Sequence, residues 1–237
     1  MKKPLIGIVS KQHNRKGEDL WNRMDAVDEL RYLIVKHGGL AIILMPSEET
    51  MEFNQSDLGD DKVLSAEEIE GLRQQVDLCD GIILQGGDFS CQYEVEIGKY
   101  ALEKDLPLIG ICAGFNNILR ALGTNIYEDH TKSHCHYVKD YRHDIRIVKG
   151  TKLYELIGEE VYPVNSLHTM VADPPRVEPY AKIAAYSMDG LVESYEVPGK
   201  KFTLGFKWHP ELMMGEEYVE KLFAQYVEAC RKQKERK

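Results

Sequence analysis

The sequence has no apolar run long enough to span a bilayer, which sets membrane insertion aside. Cysteine is scarce, with five in 237 residues: Cys79, Cys91, Cys112, Cys135 and Cys230. Their odd number and irregular spacing argue against a disulfide framework and make a reducing cytoplasm the expected compartment. No Cys-x-x-Cys pair is present, so structural zinc is not expected. Positive charge is also short. The 30 Lys and Arg are outnumbered by 39 Asp and Glu, for a net charge of −9. A phosphate backbone needs a basic footprint, so nucleic acid is not an expected partner. Neither an internal repeat nor a linker divides the chain, and residues 1–237 read as one domain. The N-terminal apolar run, Pro4–Val9, is too short for a secretory signal and reads as a first strand.

What the first half does contain is an alternation of strand and helix patterns. Helical spacing through Leu20, Met24, Val27, Leu30, Leu33 and Ile34 predicts a helix over Lys16–His37, closed by Gly38-Gly39. Leu40–Met45 reads as a short buried strand. Glu48–Lys62 is polar and acidic and reads as a mobile surface loop. Ser65-Ala66-Glu67-Glu68 has the form of a capping box opening a helix to about Cys79. Ile82-Ile83-Leu84 is a third strand, ending in Gln85-Gly86-Gly87, and a helix over about Tyr93–Lys104 follows. Such repeats imply an α/β fold with a parallel sheet covered on both faces, whose ligands bind beyond the C-terminal strand ends. The second half is richer in strands, with a hairpin signal at Met188-Asp189-Gly190 and an amphipathic C-terminal helix over Glu216–Arg236.

Two constellations carry chemistry. In Gly110-Ile111-Cys112-Ala113-Gly114 an apolar strand runs into a cysteine, and a helical pattern follows at once. Small residues on both sides allow the strained turn of a nucleophile elbow. A thiol at a helix N-terminus is shifted toward thiolate. The competing reading of a lone cysteine is a small buried hydrophobe. The second constellation is Trp208-His209-Pro210-Glu211. In an extended segment His209 and Glu211 point the same way, so the carboxylate can orient the imidazole that a cysteine nucleophile requires. Gly86-Gly87 closes the strand before the Cys112 strand. There, backbone N–H groups can approach a ligand unhindered by a Cβ. The histidines His130, His134, His136 and His143 match no familiar metal spacing and read as part of a polar surface loop.

Taken in order, Asp80–Gly87, Gly110–Gly114, Val164-Asn165-Ser166-Leu167-His168, Asp189–Glu193 and Trp208–Glu211 resemble class I glutamine amidotransferase domains. Within these, they are most similar to the peptidase C26 group of γ-glutamyl hydrolases. The resemblance implies a three-layer sandwich with a mostly parallel, flavodoxin-like central sheet. It implies a Cys112–His209–Glu211 triad acting on γ-glutamyl amides through a thioester, with the oxyanion on the N–H groups of Gly87 and Ala113. It also implies a small γ-glutamyl substrate bound near Gly86, Asn116 and His168, no metal or organic cofactor, and compatibility with a homodimer. His168 reads equally well as a histidine satisfied by the local fold. A glutaminase subunit that passes ammonia to a separate synthase is the alternative activity. The departures cluster near the expected substrate. Ala113 stands where many relatives carry Arg, and Asn116 and Lys207 each stand where they carry Gln. Thr169 and Met170 replace a His and a Gln.

Overall fold

The computed structural model describes residues 2–13, 23–47, 63–87, 91–124, 126–128, 134, 136, 138 and 140–236. The first half runs β1 (Leu5–Val9), β2 (Lys11–His13), β3 (Arg23–Asp25), α1 (Asp28–Lys36), β4 (Leu40–Leu44), α2 (Ala66–Asp77), β5 (Gly81–Leu84), α3 (Gln92–Glu103), β6 (Leu108–Ile111) and α4 (Ala113–Ala121). The second half runs β7 (Tyr127–Glu128), β8 (His143–Ile147), α5 (Lys152–Ile157), β9 (Val161–Val164), β10 (Met170–Val171), α6 (Pro174–Val177), β11 (Lys182–Ser187), β12 (Val192–Glu196) and β13 (Thr203–Phe206). A 3₁₀ turn (Pro210–Met213) and α7 (Glu217–Lys234) complete it.

Nine strands form one sheet in the order β4-β1-β5-β6-β13-β12-β11-β8-β9. The first five are parallel neighbours. The remaining pairings alternate antiparallel, so seven of the nine strands still run the same way. This is the expected α/β architecture with an antiparallel extension. Successive strand side chains point to opposite faces. In β5, Ile83 faces the layer built by Ile6, Ile8, α1 and α7, whereas Ile82 and Leu84 face α2, α3 and α4. A strand covered on both sides needs an apolar residue at every position, which is why its sequence is a continuous run. Each fully buried Leu, Ile or Phe contributes about 1.5–3 kcal/mol relative to exposure.

The capping box forms as expected. The Glu68 N–H donates to Ser65 Oγ at 3.2 Å, and the Ser65 N–H donates to Glu68 Oε2 at 2.6 Å. Two expectations need correction. The helix predicted over Lys16–His37 begins only at Asp28, because residues 23–25 pair with 11–13 in a β-ribbon. The Val27 N–H is then drawn to Gln85 Oε1 at 2.8 Å, which fixes the helix start. Leu20 lies outside the described residues. Strand β4 is only partly buried: among the described residues it pairs with β1 alone, and Leu40 and Ile43 are about half exposed at this edge, while Leu44 is buried. The segment Glu48–Lys62 lies outside the described residues. Among those described, no helix is long and apolar enough to cross a membrane.

Candidate active site

Strand register brings distant residues to one edge of the sheet. Leu84 is paired with Gly110, and Ile111 with Phe206. The residues just beyond these ends are Gly86, Cys112 and His209, so three segments far apart in sequence converge at the C-terminal ends of β5, β6 and β13. Ligands bind at such ends in open α/β sheets.

Cys112 is the bend itself. Its N–H still bonds the Phe206 carbonyl at 2.8 Å, extending the ladder, and the next residue is already helical. Its backbone sits at φ 51°, ψ −101°, a conformation that non-glycine residues rarely adopt. The flanking glycines make the bend feasible. A Cβ on Gly110 would lie 2.5 Å from the Gly114 carbonyl oxygen, and one on Gly114 would lie 1.9 Å from that of Leu84. Ala113, the first residue of α4, has an N–H with no earlier helical carbonyl to bond.

His209 arrives from β13 and is held from two sides. Its Nδ1 lies 2.7 Å from Glu211 Oε1, and Glu211 is fully buried. The segment is not extended as the sequence suggested: Pro210 opens a 3₁₀ turn, and the turn carries the carboxylate back to the ring. With Nδ1 taken by Glu211, Nε2 is the nitrogen left to hydrogen-bond the Cys112 thiol. A Cβ on Gly86 would sit 2.5 Å from His209 Cε1 and 3.3 Å from Cys112 Cβ, so both side chains pack against this one glycine.

Asn165 was visible in the sequence only as part of a motif, and its role is tertiary. Its Oδ1 accepts the His209 N–H at 2.9 Å, and its Nδ2 donates to the His209 carbonyl at 2.8 Å. Asn165→Ala strands both groups, and a buried unpaired donor costs about 1–3 kcal/mol. We expect a loss of that size in urea unfolding, together with slower alkylation of Cys112 as His209 loses its anchor. Unchanged stability would show that the clamp is not formed.

The charges favour an ion pair. Burial pushes the Cys112 thiol up, but the His209 charge and hydrogen bond, with Lys207 and Lys11 behind them, outweigh it and leave the thiol below its ordinary range. Burial pushes His209 down, but Glu211 and Cys112 hold it well above the ordinary imidazole range. An ordinary thiol of pKa about 8.5 is only about 3% ionised at pH 7. A lowered pKa therefore raises the thiolate fraction at neutral pH. We expect iodoacetamide to label Cys112 roughly tenfold faster at pH 7 than a free thiol, allowing for the lower nucleophilicity of a low-pKa thiolate. The rate should fall only at lower pH. His209→Ala should move the thiol's titration upward, because burial then acts with less opposition; if it leaves the profile unchanged, the coupling is absent.

The other expected site residues take distinct positions. Gly87 follows Gly86 and lies over the Lys11 stem, where a Cβ would meet Lys11 Cδ at 3.0 Å. Lys11 is itself buried, with Nζ 2.5 Å from Glu94 Oε2. A cavity of about 330 Å³ opens here, bordered by Lys11, Asp25, Gln85, Gly86 and Gly87 among others. Gln85 ties the β2–β3 ribbon to this rim by donating to the carbonyls of Val9 and Asp25, each at 2.8 Å. Asn116 is buried and accepts from Lys207 Nζ at 2.7 Å, and that cation also lies over the Phe115 ring.

His168 is buried, stacks on His134 at 5.1 Å, and has its Nε2 3.5 Å from Glu193 Oε1. The surface-loop reading of the histidines is thereby corrected. His134 is buried, and it meets His143 and Glu193. His136 stacks on Tyr141 at 3.7 Å, and His130 lies outside the described residues. Burial pushes Glu193 up to about 7 against the opposing charges of His143, His134 and Lys207.

A family model, Peptidase C26, matches residues 91–211, a span that opens before Cys112 and closes on Glu211. The chain belongs to the peptidase C26 family. Among curated relatives of this C26 chain, PuuD of Escherichia coli K12, named a gamma-glutamyl-gamma-aminobutyrate hydrolase, is 26% identical over 97% of the chain and 94% of its own length. Protein NtpR of Enterococcus hirae is 32% identical, but that match spans only about half of each protein, 51% of this chain and 53% of NtpR. The glutaminase domain of Trypanosoma brucei CTPS, solved with bound acivicin, superposes with a TM-score of 0.65 at 16% identity. It covers 97% of this chain and 94% of that one, and it shares the fold of the C26 chain.

Proposed function

We propose that this C26 protein is a cysteine-dependent hydrolase of γ-glutamyl amide bonds, releasing glutamate and a small amine. The γ-glutamyl group enters by the cavity beside Gly86. The Cys112 thiolate attacks the γ-carbonyl carbon, and the oxyanion is held by the N–H groups of Gly87 and Ala113. As the C–N bond breaks, the His209 imidazolium gives its proton to the leaving nitrogen. A γ-glutamyl thioester and a neutral imidazole remain. His209 then takes a proton from water as the water oxygen attacks the thioester. The C–S bond breaks, glutamate leaves, and the thiolate–imidazolium pair is restored. Glu211 fixes the imidazole tautomer and stabilises the imidazolium.

The single observation that carries this reading is the thiol on a strained elbow, lowered by an imidazole that a buried carboxylate holds at 2.7 Å. The choice of a γ-glutamyl amide draws support from PuuD, whose match runs along nearly the whole chain. The test is direct. The purified protein, given γ-glutamyl-γ-aminobutyrate and a panel of γ-glutamyl amines without any partner, should release glutamate with kcat of roughly 1–10³ s⁻¹ on its best substrate. If it turns over none of them, and acts on glutamine only when a synthase is added, it is an ammonia-delivering subunit instead.

A further inference from the structure

Next to the triad lies a second convergence of buried polar groups that the proposed hydrolysis does not use. His134 supplies it from the segment before β8, His143 from the first position of β8, and Glu193 from β12. One ligand-capable atom of each lies within 4.8 Å of the others. Glu193 is completely buried, and neither of its oxygens receives a hydrogen bond from a described residue. The buried Nε2 of His143 is likewise without one. Among the described residues this buried carboxylate has only long imidazole contacts, at 3.5 and 3.7 Å, and burying it so is costly unless something draws the groups together.

The arrangement of His134 indicates what joins them. Its Nε2 lies 3.0 Å from Asp189 Oδ2, while its Nδ1 faces Glu193 Oε1 at 3.7 Å. A carboxylate on the outer nitrogen, leaving the inner one facing the centre, is how metal-ligating histidines are oriented. We propose that His134, His143 and Glu193 form a site for a divalent transition metal, of which Zn²⁺ is the chemical type. Two imidazoles and one carboxylate are a common zinc set that leaves a position open. Metal bonds of about 2.0–2.2 Å draw the three atoms inward. His143 is the partly exposed member and stands at the start of β8. His168 bounds the site, its Nε2 3.5 Å from Glu193 Oε1. The Lys207 charge acts on Glu193 from the triad side and weakens the hold on a second cation.

The site and the triad share one short segment. Asn165 clamps the His209 backbone, whereas Ser166 Oγ and the His168 N–H donate to the His134 carbonyl at 2.6 and 3.2 Å. A metal bound there fixes the loop that positions the triad histidine.

The test uses the full chain carrying Cys112→Ala, so that the triad thiol cannot bind the probe. Titration with Co²⁺ should give visible d–d absorption saturating at one equivalent, and excess Zn²⁺ should remove it. The thermal midpoint should rise with either ion. In the same background His143→Ala should weaken binding about 100-fold or more. Asp189→Asn, which alters the outer partner of His134 and an acceptor of the Ser187 hydroxyl, should weaken it about 10–100-fold. Both positions are at least partly exposed, so the variants should fold, and the midpoint without metal checks this. Absence of saturable Co²⁺ absorption, or an affinity unchanged in His143→Ala, overturns the proposal. Neither outcome depends on whether γ-glutamyl amides are hydrolysed.

Discussion

Cys112→Ala is expected to lower γ-glutamyl hydrolysis by about 10⁴–10⁶-fold, because removing a nucleophile removes the covalent route altogether. Stability should change by no more than about 1 kcal/mol, since a single sulfur is lost from a residue that is 9% exposed. Together these results would assign the sulfur a chemical role. A structural cysteine gives the opposite pattern, with reduced stability and near-normal turnover in whatever protein remains folded. The comparison with His209→Ala sharpens the case. If the thiolate and imidazole act as one unit, the double variant is hardly worse than either single one. Additive losses would mean that the two side chains serve separate steps. Residual turnover within tenfold of the parent in Cys112→Ala would transfer the nucleophile's role elsewhere.

The elbow was legible in the sequence because its signature is local, although the contacts that hold it, to Leu84 and Phe206, are not. A short apolar run, two glycines and a helical pattern lie within a dozen residues around Cys112. The capping box at Ser65 was legible for the same reason. Other features required contacts that no local pattern contains. Leu20, Met24, Val27 and Leu30 are spaced as on a helix. Yet Met24 belongs to a ribbon strand, and the helix start is set by Gln85, 58 residues from Val27. The carboxylate of Glu211 was rightly paired with His209, but a 3₁₀ turn, not an extended strand, brings them together. The histidine cluster was the least legible. His134, His143 and Glu193 follow no spacing rule, because β8 and β12 become near neighbours only through β11, which pairs with both.

The elbow also depends on a backbone contact that a single methyl group would destroy. In Gly114→Ala the new Cβ would lie 1.9 Å from the Leu84 carbonyl oxygen and 2.5 Å from its carbon. Both are main-chain atoms of a central strand, so no rotamer change relieves the clash, and α4 itself must move outward. Overpacking against mobile side chains usually costs about 1–3 kcal/mol. Against fixed backbone we expect a loss above about 4 kcal/mol, a large part of the 5–15 kcal/mol that typically holds a domain folded. Two other glycines calibrate this expectation. At Gly199, with φ +77° and no atom within 4 Å of a Cβ, alanine meets only backbone strain of about 1–2 kcal/mol. At Gly98 the first obstacle is Leu84 Cδ1 at 3.1 Å, the far end of a flexible side chain, so alanine should be tolerated. Urea midpoints for the three variants should therefore fall in the order Gly98→Ala, Gly199→Ala, Gly114→Ala, the last lowest by a wide margin. Any folded Gly114→Ala protein should also lose fast Cys112 alkylation, because a displaced α4 takes the thiol away from His209. If Gly114→Ala is as stable as Gly199→Ala, α4 does not rest on β5 at van der Waals contact, and the strained bend at Cys112 loses its structural cause.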